Sequence, residues 1–159
     1  MNFIKKKYKI TNMYDKKNKV AMYPGSFDPF HNGHLNILVK ALNIFDFIYI
    51  VITKNINKNI SPDLKSRIEK IKEMTKDLSN IEIVTNDKLL TIDFAKEMNI
   101  KFIVRGVRDI ETFKNEVDYI DANRTLSSDI ETILLVSDMD KRQLSSSIIK
   151  EIEFYKNQK

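Results

Sequence analysis

The window 22-MYPGSFDPFHNGHLNI-37 holds two of the chain's three glycines, two of its three prolines and both of its histidines. Gly25 lets the backbone turn tightly and come close to a ligand, and Pro24 and Pro29 stiffen the loop. Gly33-His34 then opens a helical pattern, which sets an imidazole at a helix N-terminus. Free N–H groups and partial positive charge make that end a seat for an anion. The pair His31-x-Gly-His34 on such a turn points to phosphate contacts. A metal centre is the poorer reading, because Asp28 is the one ligand nearby and the chain has no cysteine.

Other candidates lie beyond later apolar runs. Arg105-Gly106-Val107-Arg108 places two guanidinium forks around the third glycine, a shape that matches phosphate oxygens. The segment 53-TKNINKNI-60 offers Lys54 and Lys58, which by charge alone read as solvated. In 137-SDMDKRQLSSSIIK-150 three serines open a helical pattern and offer hydroxyls with free N–H groups, although taken alone they read as an N-cap. Together these groups hold anions. No strong base and no nucleophile–base pair stands among them. GxxxxGK[ST] and GxGxxG are both absent, which excludes a P-loop and a dinucleotide glycine fingerprint. The chemistry that remains is phosphoryl or nucleotidyl transfer by positioning and electrostatics.

The elements that must carry these residues alternate. Short β-branched runs appear at 19–23, 47–52, 81–84, 101–105 and 131–136, each apolar enough to be covered on both faces. Helical periods lie between them at 34–45, 62–78, 91–99 and 109–126, and a last one at 145–156 closes the chain. Leu35, Leu38, Leu42 and Phe45 form the first stripe, Leu64, Ile68, Ile71 and Leu78 the second, and Phe113, Val117 and Ile120 the fourth. Ser61-Pro62 suits a helix start. Strand–helix alternation predicts a Rossmann-like, doubly wound α/β domain with a five-stranded parallel sheet flanked by helices. Such sheets bind ligands beyond the carboxyl ends of their strands, where these motifs fall.

The chain has 159 residues, a length for one domain, expected over 19–159 behind a flexible Lys-rich arm at 1–18. Its net charge of +5 is concentrated in that arm, at Lys5, Lys6, Lys7, Lys9, Lys16 and Lys17 against Asp15. The body is near neutral, so a solvated tail is favoured over an RNA-binding face. Transit peptides favour Arg and Ser over this Lys and Asn usage. Met13 is a second candidate start. No apolar run spans a bilayer. The absence of cysteine fits a reducing compartment, and the expected location is the cytoplasm.

Tyr23-Pro24-Gly25-Ser26-Phe27-Asp28-Pro29 with Asn32-Gly33-His34, then Arg105 to Arg108, then Ser145-Ser146-Ser147, closely resembles the bacterial phosphopantetheine adenylyltransferase family. The resemblance runs from about residue 19 to about 152 in one order and spacing. HxGH and the serine motif by themselves mark only the wider nucleotidyltransferase superfamily. The resemblance implies transfer of the adenylyl group of ATP to 4′-phosphopantetheine with Mg²⁺, giving dephospho-CoA and pyrophosphate in coenzyme A synthesis, by a homohexamer. By position it implies that His34 stabilises the transition state at the α-phosphate. Ser26 touches both substrates, Phe27 lies beside the adenylate and Lys58 holds the acceptor phosphate. Thr91 lines the pantetheine arm and Arg105 binds the acceptor. Gly106, Val107, Arg108 and Glu116 contact ATP. Lys141, Arg142, Gln143, Leu144, Ser145, Ser146 and Ser147 form the closing ATP loop. Nucleic acid and membrane are not expected partners.

Three departures from the family stand out. Lys141 replaces a frequent aromatic residue, and His31 replaces a frequent Thr or other small residue. The family pattern also extends past Lys159 with a further helix, so altered hexamer packing and capping are expected here. Thr91 and the Arg105–Arg108 pattern argue against nicotinate mononucleotide, or CTP with a polyol phosphate. Intact His34, Lys58 and Arg105 argue against a silent ligand sensor.

Overall fold

The computed structural model describes residues 19–53, 63–138, 151 and 154–156. The arm 1–18, Lys58, the stretch 141–147 and most of the expected last helix lie outside the described residues. Strands β1 (Val20–Gly25), β2 (Phe47–Thr53), β3 (Ile81–Asn86), β4 (Phe102–Val107) and β5 (Glu131–Val136) form one sheet in the order β3-β2-β1-β4-β5. Every pairing is parallel, with Val20 opposite Phe47, Ile48 opposite Ile81 and Phe102 opposite Glu131.

Two apolar layers follow from the two-residue period of a strand. Ala21 and Tyr23 share one core with Ile48, Ile50 and Ile52, while Met22 joins Tyr49 and Val51 in the other. Helices α1 (Asn32–Leu42) and α2 (Leu64–Met74) supply Ile37, Leu38, Ala41 and Ile71 to the first core. Helix α3 (Thr91–Glu97) supplies Ile92, Phe94 and Ala95 to the second. A fully buried Ile, Leu or Phe side chain among these is worth about 1.5–3 kcal/mol.

Some boundaries differ from the sequence reading. Helix α1 starts at Asn32 because His31 caps it, and it stops at Leu42, leaving Phe45 to pack from beyond its end. Helix α2 stops before 78, where Thr75 takes φ −111° and turns its hydroxyl back to the Ile71 carbonyl. Arg105 and Gly106 stand inside β4 rather than after it, because the ladder to β5 continues through Arg105–Leu134 and Gly106–Leu135.

Helix α4 (Ile110–Leu126) corrects the expected apolar face. Phe113 is 48% exposed and Ile110 75%, and the positions it buries are Glu116 and Asn123. Its inner face turns polar groups toward the carboxyl ends of β1 and β4. These two strands are neighbours in the sheet but far apart in the chain, so connections leave them in opposite directions and a crevice opens between.

Candidate active site

That crevice is a cleft of about 580 Å³, within the range of small-ligand sites. Ser26, Phe27, His34, Thr91, Arg105, Gly106, Arg108 and Glu116 all line it, although they come from four parts of the chain. Val107 does not line it: its side chain is buried and its carbonyl accepts the Ser137 amide. Lys58 and Lys141 to Ser147 fall outside the described residues.

The turn after β1 is built around Phe27. Its φ of 48° is unusual for a bulky residue, and its ring is 1% exposed. The ring meets Tyr23 at 5.3 Å, Phe30 at 5.4 Å and His34 at 5.2 Å. A Cβ on Gly25 would stand 2.8 Å from this ring, so only glycine lets the strand end pass beneath it. Phe27 therefore acts as the floor under His34, and contact with a ligand would fall to its backbone. Arg67, from α2, donates to the Ser26 carbonyl at 2.8 Å and ties the turn down from outside.

Helix α1 opens with a reciprocal cap. His31 Nδ1 accepts from the Gly33 amide at 3.1 Å, and His34 Nδ1 accepts from the His31 amide at 3.3 Å. A nitrogen that accepts carries no proton, so neutral His34 holds its proton on Nε2, the atom left to donate. The two imidazoles stack with centroids 3.8 Å apart. Burial pulls the His34 pKa down to about 4, helped by the charges of His31, Arg108 and Arg105. At neutral pH the cleft thus presents an uncharged N–H donor at a helix N-terminus whose first turn has no acidic residue.

Arg105 faces His34's end of the cleft from β4. Its Nε and Nη2 donate to the two Glu116 carboxylate oxygens, each at 2.7 Å, and Nη1 donates to the Pro24 carbonyl at 3.1 Å. The Tyr119 ring lies 5.1 Å from its guanidinium carbon. Burial opposes the guanidinium's charge, but hydrogen bonding and charge from Glu116 outweigh it, and the pKa is raised. Gly106 has a packing reason beside any ligand role, since a Cβ there would meet Ile37 of α1 at 2.9 Å.

Several lining residues carry no site role in the sequence reading: Tyr23, which stands in the quoted motif, Thr53 and Ser137, which open quoted segments, and Thr112 and Tyr119. Thr53 and Ser137 directly follow the predicted second and fifth strands, so the strand-end rule pointed at them. Thr112 and Tyr119 sit four before and three after Glu116 on α4, so helical spacing would have found them. Arg67 gave no local signal. Among the described residues no three His, Cys, Asp or Glu side chains gather as a metal site, and no helix is long and apolar enough to cross a membrane.

Residues 22–152 match the Cytidylyltransferase-like family. A phosphopantetheine adenylyltransferase of Mycoplasma capricolum is 54% identical over 138 residues, covering 87% of this chain and 99% of that one. A phosphopantetheine adenylyltransferase of Wigglesworthia glossinidia is 42% identical over 140 residues, covering 87% and 82%. Among solved structures, a pantoate-beta-alanine ligase from Francisella tularensis superposes with a TM-score of 0.58 at 14% identity, covering 97% of this chain and 76% of that one. A lipopolysaccharide core biosynthesis protein from Thermoplasma volcanium gives 0.55 at 18%, covering 78% and 99%. At those identities the two structures speak for the fold alone.

Proposed function

Because the chain belongs to the phosphopantetheine adenylyltransferases within the Cytidylyltransferase-like family, we propose that it transfers the adenylyl group of ATP to 4′-phosphopantetheine. A phosphate oxygen of the acceptor attacks the α-phosphorus in line, the bond to the β-phosphate oxygen breaks, and pyrophosphate leaves. The acceptor is mostly dianionic at neutral pH, its second pKa being about 6, and so needs no general base. This suits a cleft that carries donors and cations instead of a base.

The observation that carries this reading is the capped His34. Its Nε2–H is held at the N-terminus of α1, across the cleft from Arg105 and Arg108. A neutral donor placed where charge builds on the α-phosphate favours the transition state over the ground state. Arg105 would hold the acceptor phosphate with Lys58, and Thr91 would line the pantetheine arm. Ser26 and the backbone at Phe27, Gly106 and Arg108 would receive ATP. The segment from Lys141 to Ser147 would complete the ATP site.

Mg²⁺ enters this scheme with its substrate, as MgATP, because a small hard cation is readily held by phosphates and water. The described cleft offers no ligand cluster that competes for it. A homohexamer working in the cytoplasm completes the proposal.

The test is incubation with ATP, Mg²⁺ and 4′-phosphopantetheine. Equal amounts of pyrophosphate and dephospho-CoA are expected. His34→Ala should lower kcat by about 10²–10³-fold, the cost of one such donor, with ATP binding changed far less. No product from the parent protein, or equal losses of kcat and ATP affinity in the variant, would overturn the reaction or the role of His34 respectively.

A further inference from the structure

Glu116 carries the family role of an ATP contact, yet its carboxylate is occupied otherwise. Both oxygens receive from Arg105 at 2.7 Å, in a side-on pair through Nε and Nη2. Both side chains line the cleft, but that of Glu116 is 9% exposed while that of Arg105 is 27% exposed, so the arginine is the more accessible member. Pro24 and Tyr119 hold the guanidinium on two further sides. A guanidinium has five N–H groups; among the described residues three are taken by Glu116 and Pro24, which leaves two for a ligand.

We propose that Glu116 is a positioning residue for the acceptor's phosphate and acts through Arg105. This rests on the adenylyl-transfer reading above. An unpaired carboxylate facing a polyphosphate would repel it, whereas one bound side-on to a guanidinium is neutralised by it and fixes the fork. Arginine side chains have many rotamers, and ordering them on binding lowers affinity. Here the ordering is done in advance: Glu116 sits one helical turn from Tyr119 on α4, and the two hold the guanidinium from one helix face. The acceptor phosphate then meets the two free N–H groups in place. The pair also leaves the site's net charge lower than two arginines alone would make it, so discrimination falls to geometry rather than to bulk charge.

The test separates the two substrates. Glu116→Gln keeps the shape and one accepting oxygen but removes the charge. It should raise the KM for 4′-phosphopantetheine about tenfold, the loss of one charge-assisted contact, while the KM for ATP stays within about twofold. Glu116→Asp, which keeps the charge, should recover part of the loss. In an Arg105→Gln background, Glu116→Gln should change the acceptor KM by less than about twofold, because its partner is gone. That double variant removes both charges and so also serves if Glu116→Gln alone fails to fold. A rise in the KM for ATP with an unchanged acceptor KM, equal rises in both, no change in either, or full additivity with Arg105→Gln would each overturn the inference while leaving the reaction intact. A parent protein that makes no dephospho-CoA overturns the reaction itself, and the inference with it.

Discussion

Gly25→Ala is the substitution whose effect follows most directly from distances. The added Cβ would lie 2.8 Å from Cε1 and 2.9 Å from Cζ of Phe27. Carbon atoms rest comfortably at about 3.5–4.0 Å, so the ring must retreat by roughly 0.7 Å. It has nowhere free to go, being 1% exposed and bounded by Tyr23, Phe30 and His34. Overpacking of this kind costs about 1–3 kcal/mol. At about 2–4 °C of Tm for each kcal/mol in a domain of this size, the melting temperature should fall by roughly 2–12 °C. The functional cost follows from the same push. Phe27 is the floor under His34, and if His34 acts as proposed, misplacing it by about 1 Å can cost 10²-fold. We expect kcat to drop by about 10–100-fold while ATP binding holds. Thermal denaturation and steady-state pyrophosphate release measure both. In a Phe27→Leu background, where the ring is gone, adding Gly25→Ala should cost less than about 0.5 kcal/mol. An unchanged Tm and kcat in the single variant, or an undiminished cost once Phe27→Leu has removed the ring, would refute the floor argument.

Two further predictions concern the cap of α1. His31→Ala removes the acceptor for the Gly33 amide and should cost about 1 kcal/mol, read as a lower Tm, while His31→Thr restores an N-cap oxygen and most of the loss. His34, with its pKa lowered to about 4 from an ordinary 6.5, stays neutral in the free protein as pH falls from 7 to 5. The unfolded chain takes up a proton at that histidine first, so its contribution to stability is present above pH 6.5 and is lost as pH falls toward 4. Nitrogen-15 NMR should show the Nε2–H tautomer and no titration of His34 above about pH 5. A midpoint near 6.5, or a proton on Nδ1, would remove the case for a neutral donor.

Much of the site was legible because it is local. Glycine, proline and histidine concentrated in one turn mark a tightly bent backbone at a strand end, and the cap linking His31, Gly33 and His34 closes within four residues. Short β-branched runs alternating with helical periods are enough to predict a parallel, doubly wound sheet. The apolar pattern failed on α4, where a helix that serves the cleft buries Glu116 and leaves Phe113 half exposed. Periodicity reports which face is greasy, and here the inner face is the polar one.

What the sequence alone determined, then, is the kind of chemistry to expect and the turn proposed to perform it, since both depend on neighbours within a few residues. Which groups meet across the cleft was decided by tertiary structure. Arg105 reaches Pro24 across 81 positions, and Asp138 accepts from Asn36 across 102 and pairs with Lys40 at 2.6 Å, tying the end of β5 to the helix that carries His34. Those meetings require β4 to lie beside β1, and strand order is set by how two apolar layers close over one sheet. No local pattern encodes that arrangement, and so neither the clamp on Arg105 nor the tie from β5 to the helix of His34 could be read before the chain was folded.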